Sequence, residues 1–183
     1  MPITPLSRDS ELERILEPEV MDTDEEADGY QAMDHSGPNQ AFVERLIELG
    51  AKGHVLDIGC GPGAIPILIA ERIPEARVTG VDLSPKMLAH AERAKASSPA
   101  ADRVTFKLAD AKGLPFEDRS FDVVCSNTIL HHIADPTFLL IEASRLLRPG
   151  GVLLIRDLYR PANQAELDRL VEAHAADDTP YNR

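Results

Sequence analysis

Most of the residues of this 183-residue chain that could do chemistry lie between Asp57 and His132. The densest group is Asp57-Ile-Gly-Cys-Gly-Pro-Gly63, an acid followed by glycines at alternate positions. Glycines in a strand-to-helix turn let the backbone come close to a ligand. Gly59, Gly61 and Ala64 fit, loosely, the glycine pattern of dinucleotide sites. Asp57 argues against a diphosphate there. It sits two residues before the first glycine, at the carboxyl end of a strand. Two like charges ~4 Å apart at an effective dielectric of 20 cost roughly 4 kcal/mol. A ligand with positive charge and no phosphate is attracted instead. A buried carboxylate that bonds the loop amides is compatible with such binding. Cys60, inside the loop, and Cys125 read as small buried fillers rather than nucleophiles.

Two further acids follow strand-like segments. Asp82 ends Val78-Thr-Gly-Val-Asp82, and a carboxylate there can accept from both hydroxyls of a ribose. Its competing reading is a helix cap, but Ser84 already supplies one. Leu83 offers an apolar face to a base. Asp110-Ala111 follows the next such segment. Asp110 could accept from an adenine amino group and the Ala111 N–H could donate to the ring; a solvated turn residue is the alternative. His131 and His132 are base candidates, because imidazole titrates in the useful range. Of the two, His131 is the catalytic candidate; packing under a helix or bonding a loop carbonyl is the competing reading. No metal site is expected: adjacent histidines point apart and no third ligand is evident.

These residues need a frame that brings strand ends together. Asn39 predicts the cap of a helix over Gln40–Leu49, closed by Gly50. From His54 onward, short apolar runs alternate with amphipathic segments. His54–Ile58, Arg77–Val81, Val104–Leu108, Ser120–Ser126 and Val152–Arg156 read as strands, with Arg148-Pro-Gly-Gly151 as a tight turn. Ala64–Ile73, a segment from Ser84-Pro85 to about Ala96, Pro136–Leu147 and Asn163–Ala175 read as helices. Strands that are apolar along their length fit a parallel sheet covered on both faces. The alternation predicts a doubly wound, Rossmann-like α/β sheet. Residues 1–38 read as an acidic arm or lid, since Asp9–Gly29 holds ten acids and one base. Residues 39–183 read as the main domain.

The motifs from Val55 to Leu158 resemble the class I S-adenosylmethionine-dependent methyltransferases. The resemblance covers the glycine loop, Asp82, Asp110-Ala111, Ser120-Phe-Asp-Val-Val-Cys-Ser-Asn127, Leu130-His-His-Ile-Ala-Asp-Pro136 and Leu146-Leu-Arg-Pro-Gly-Gly151. It implies S-adenosyl-L-methionine as donor, leaving S-adenosyl-L-homocysteine, held along the carboxyl ends of the first four strands. On that resemblance Asp57, Gly59, Cys60, Gly61, Asp82, Leu83, Asp110, Ala111 and Asn127 bind the donor, the methionine part lying near Cys125–Asn127. Tyr30 and His35, just before the main domain, could reach back over the donor. A small-molecule acceptor is implied, methylated by in-line displacement. The family sheet has seven strands, and the last two find no counterpart here. An uncovered fifth strand predicts self-association through its edge.

Composition narrows the partners. With 31 acidic and 19 basic residues the net charge is −12. Duplex nucleic acid and anionic membrane surfaces both call for basic patches, so neither is expected as a partner. No apolar run reaches the ~18 residues of a membrane span, and two cysteines do not make a disulfide scaffold; a cytoplasmic setting follows. Two alternatives stay open: a donor-binding module without turnover because of truncation, and an NAD(P)-dependent oxidoreductase on the same fold.

Overall fold

A computed structural model describes Leu16 and residues 35–174. The Tyr30 expectation and nearly all of the acidic arm lie outside the described residues. The chain divides into two compact units, one from Leu16 to Asp157 and one that contains Leu158–His174. The expected boundary at residues 38/39 falls inside the first helix.

That helix, α1, runs Ser36–Glu48 and has His35, not Asn39, at its cap position. Pro38 fits the first turn, where its missing N–H is not needed, so the helix begins four residues earlier than Asn39 predicts. It ends as expected on Gly50, which takes φ +78°. The Gly50 and Ala51 N–H groups donate to the Ile47 and Leu46 carbonyls at 2.9 and 3.0 Å, a Schellman closure.

The strands are β1 (His54–Ile58), β2 (Arg77–Asp82), β3 (Val104–Leu108), β4 (Phe121–Asn127) and β5 (Leu147–Arg156). They pair in parallel in the order β3-β2-β1-β4-β5. Helices α2 (Ala64–Arg72), α3 (Pro85–Ala96) and α4 (Thr137–Leu146) connect them. The sheet is the doubly wound α/β sheet that the alternation predicts, five-stranded among the described residues. Asp135 Oδ1 accepts from the Thr137 N–H at 3.0 Å, and Ser84 Oγ caps α3 by accepting from Met87 N–H at 3.2 Å. In the second unit α5 (Gln164–His174) starts at Asn163, whose Oδ1 accepts from the Glu166 N–H at 3.0 Å.

Register explains why the strand sequences are apolar throughout. Val55 pairs with Val78 and Val123, and Val78 with Val104. These side chains face Phe42, Leu46, Ile65 and Ile69 in one core. The alternate residues Leu56, Ile58, Val81 and Val124 pack on Leu139 and Leu146 in the other. Both faces are buried, as for parallel strands under helices. Arg148-Pro-Gly-Gly151 is a bulge within β5 rather than a turn before it. Phe121 pairs with Leu147 and Val123 with Val152, so four β5 residues face Asp122 alone. Arg148 Nη1 donates to Asp122 Oδ1 at 2.6 Å and holds the bulge.

Candidate functional site

Strand order reverses between β1 and β4, and in open α/β sheets ligands bind at that switch point, outside the carboxyl ends of the strands. A cavity of about 380 Å³ lies there. Its wall takes Asp57, Gly59, Cys60 and Gly61 from the end of β1, and Asp82 and Leu83 from the end of β2. Asp110 and Ala111 follow β3, Asn127 ends β4, and His35, Ser36 and Asn39 come from the start of α1. The nine residues that the resemblance assigns to the donor thus line one cavity together with His35; Tyr30 lies outside the described residues.

The glycine loop is shaped by hydrogen bonds and by space. The Gly59 and Cys60 N–H groups both donate to the Val81 carbonyl, at 2.8 and 2.9 Å. Gly59 has φ +75°, and a Cβ there would meet Ile129 at 2.5 Å, so only glycine fits. A Cβ on Gly61 (φ +51°) would meet nothing within 4 Å. The backbone is therefore bare where it borders the cavity, which suits close approach by a ligand.

Asp82 ties two loops together. Its Oδ2 accepts from Gly61 N–H at 2.8 Å and its Oδ1 from Ser84 N–H at 2.9 Å. Each oxygen keeps a second lone pair that could accept from a ligand hydroxyl. Burial raises the Asp82 carboxyl above its ordinary range, against the lowering effect of those N–H groups and of His132. Asp57 is 1% exposed, and Cys125 Sγ donates to its Oδ1 at 3.5 Å. Desolvation, with Asp82 nearby, pushes its pKa up to about 7. The negative charge read from sequence is therefore not fixed, because deep burial favours the protonated carboxyl. A cation entering the cavity would draw it into the ionised form. Among the described residues no Lys or Arg lines the cavity, while three aspartates do. That lining fits a cationic nucleoside and offers a diphosphate no counter-charge.

Asp110 makes an Asx turn: its Oδ1 accepts from Lys112 N–H at 2.9 Å and pairs with Lys112 Nζ at 3.2 Å. The Lys112 N–H is the main cause of its lowered pKa. Asp110 is thus a half-exposed turn residue that also lines the cavity.

The histidines divide. His132 lines the cavity and His131 does not. His131 Nδ1 lies 2.7 Å from Asp157 Oδ1, and Asp157 Oδ2 accepts from Leu130 N–H at 2.6 Å. The two rings do not point apart: they lie against each other, tilted by 39° with centroids 4.1 Å apart, because Leu130–His132 forms a 3₁₀ turn rather than an extended segment. Among the described residues no group of three His, Cys, Asp or Glu side chains could hold a metal ion. Sequence reasoning missed Asp157. The rule that found Asp82 and Asp110, an acid just past a strand, would have found it too. Asn39, read as a cap, is a cavity residue.

With this geometry in place, the comparisons with known proteins define the class. The family model described as a methyltransferase domain matches residues 56–155, and the chain belongs to that family. A 27-O-demethylrifamycin SV methyltransferase of Amycolatopsis mediterranei is 38% identical over 123 residues, 67% of this chain and 45% of that protein. A trans-aconitate 2-methyltransferase of Methylobacterium radiotolerans is 42% identical over 131 residues, 71% of this chain and 46% of that protein. The structure of phosphoethanolamine N-methyltransferase 2 of Haemonchus contortus, solved with S-adenosyl-L-methionine, matches with a TM-score of 0.61 at 34% identity. It covers 75% of this chain and 32% of that one. The chain spans about half the length of the curated relatives it matches.

Proposed function

We propose that this chain binds S-adenosyl-L-methionine at the carboxyl ends of β1–β4 and transfers its methyl group to a small-molecule acceptor. The carrying observation is the cavity wall, with three aspartates, a bare glycine backbone and no Lys or Arg among the described residues. Membership of the methyltransferase-domain family supports the same reading. The donor, when bound, supplies a sulfonium-activated methyl group for in-line displacement. Asp82 accepts from the ribose hydroxyls, Asp110 from the adenine amino group, and Leu83 packs on the base. Asp57, drawn into its ionised form, balances the positive charge of the donor. The chain's main catalytic task is orientation, which can supply ~7–11 kcal/mol. For an oxygen or carbon acceptor a proton must also leave. His131, oriented by Asp157, is the base candidate from sequence, and His132, in the cavity wall, is its neighbour and competitor.

The reading is tested by calorimetry with S-adenosylhomocysteine and with NADH. Binding of the first and not the second supports it; the reverse overturns it in favour of an oxidoreductase. A second reading, binding without turnover, is raised by the part-length match to the relatives. Transfer of tritium from methyl-labelled donor to a metabolite extract removes that reading. Self-association through the outer edge of β5 belongs to the same proposal; sedimentation as a monomer at every concentration would discard it.

A further inference from the structure

We propose that Arg156 is a positioning residue of the donor site: it sets which end of the Asn127 side-chain amide faces the cavity. The inference rests on the donor-site reading above. Arg156 ends β5, and Asn127 pairs with it across the sheet at the end of β4. Asn127 lines the cavity; Arg156 does not.

The Arg156 Nε–H donates to Asn127 Oδ1 at 2.8 Å. A guanidinium has donors only, so the Asn127 atom turned toward it must be the oxygen. The two N–H donors of that amide are thereby left for the cavity. The local wall becomes a hydrogen-bond donor, suited to a carboxylate or carbonyl of the ligand. If the amide turned over, it would present another acceptor to a wall that already holds three aspartates.

The guanidinium is itself held in place. Its Nη2 donates to the Pro38 carbonyl in the first turn of α1 at 3.0 Å. Its carbon lies 5.1 Å from the centroid of the Phe42 ring, one turn further along that helix. The Arg156 carbonyl accepts from Thr128 N–H at 2.8 Å, which fixes the backbone beside Asn127. Two acceptors in different directions and an aromatic face call for a planar fork. A lysine, with a single ammonium, cannot serve all three.

The experiment measures S-adenosylhomocysteine affinity by calorimetry on the full chain. The proteins are wild type, Arg156→Met, Arg156→Lys, Asn127→Ala and the Arg156→Met/Asn127→Ala pair. Both Arg156 variants should bind roughly tenfold or more weakly, the range of one charged-group hydrogen bond. Once Asn127 is alanine, Arg156→Met should cost little more, because the amide it orients is gone. A purely structural role would give additive losses, and that result overturns the proposal, as does wild-type affinity in both Arg156 variants. Arg156→Lys keeps the charge and most of the stem, so it carries the test if Arg156→Met fails to fold. If wild type itself does not bind the nucleoside, the donor-site reading fails instead.

Discussion

At the amino end of the sheet, Asp122 accepts from His54 N–H at 2.8 Å and from Arg148 at 2.6 Å. At the carboxyl end, Asp57 and Asp82 face a cavity whose described lining holds no Lys or Arg. Burial raises Asp122, but His54 and Arg148 outweigh it and hold the carboxyl below its ordinary range. Glu142, bonded to Arg145, is lowered as well. Asp57 and Asp82 move the other way, raised by desolvation. Acids matched by arginine within the chain stabilise the fold. Acids buried without such a match oppose it, and that opposition can be relieved by a cationic ligand.

The contrast can be broken in four places. The largest effect on folding should come from Arg145→Ala. Arg145 donates to the Leu114 and Phe116 carbonyls and to Glu142 and Asp118, at 2.7 to 3.0 Å. Its loss should cost about 2–4 kcal/mol in urea unfolding, since carbonyls and a carboxylate lose their donor. Nucleoside affinity should not change, because Arg145 is not in the cavity wall.

Asp82→Ala should do the reverse. S-adenosylhomocysteine binding should weaken by ~1.5–3 kcal/mol through loss of charge-assisted hydrogen bonds. Unchanged affinity in a titration would remove the ribose role.

Asp57→Asn sharpens the comparison through pH. Burial holds the Asp57 carboxyl at a folded pKa of about 7, against the 3.8 of an ordinary aspartate. The native state then holds the proton more tightly, so the Asp57 contribution is fully present below the unfolded pKa. It is lost as the pH rises through the folded one. Wild type should therefore lose stability relative to Asp57→Asn between the two values, in melting curves taken across that range. A constant difference would show that the carboxyl is not raised.

The smallest effect belongs to Asp122→Asn, about 1 kcal/mol. Its sign with pH is opposite. A lowered pKa gives stability above the unfolded value that is lost as the pH falls through the folded one. Wild type should thus converge on the variant in acid, in the same melting series.

Much of this was legible along the chain. Ser84, Gly50 and Asn163 act within one or two turns of their own position, so local chemistry specified those helix ends. The glycine loop and the acids at the ends of β2 and β3 were legible because sheet topology sends strand ends to a common edge. Less local features escaped. The start of α1 differs because Asn39 is a good cap by its side chain alone, whereas the helix begins at Ser36 with Pro38 in its first turn. The bulge Arg148–Gly151 was read as a turn because its partner Asp122 is distant in sequence. Asp157 was passed over although it follows a strand, since nothing near it in sequence pointed to His131.

Sequence alone determined the sheet class, the crossover that makes a cavity, and which acids stand at its rim. Those follow from hydrophobic period, glycine placement and the charge of a side chain. Tertiary structure decided how much of that charge is present. Burial of Asp57 depends on β2, β4 and the loop closing around it, and only that enclosure lifts its pKa to about 7. It also decided which histidine meets the cavity and which is bound by Asp157, because the 3₁₀ turn that keeps the two rings in contact sets only His131 against Asp157. The pairing of Arg156 with Asn127 and Pro38 likewise needs three distant segments in register, a condition no local pattern encodes.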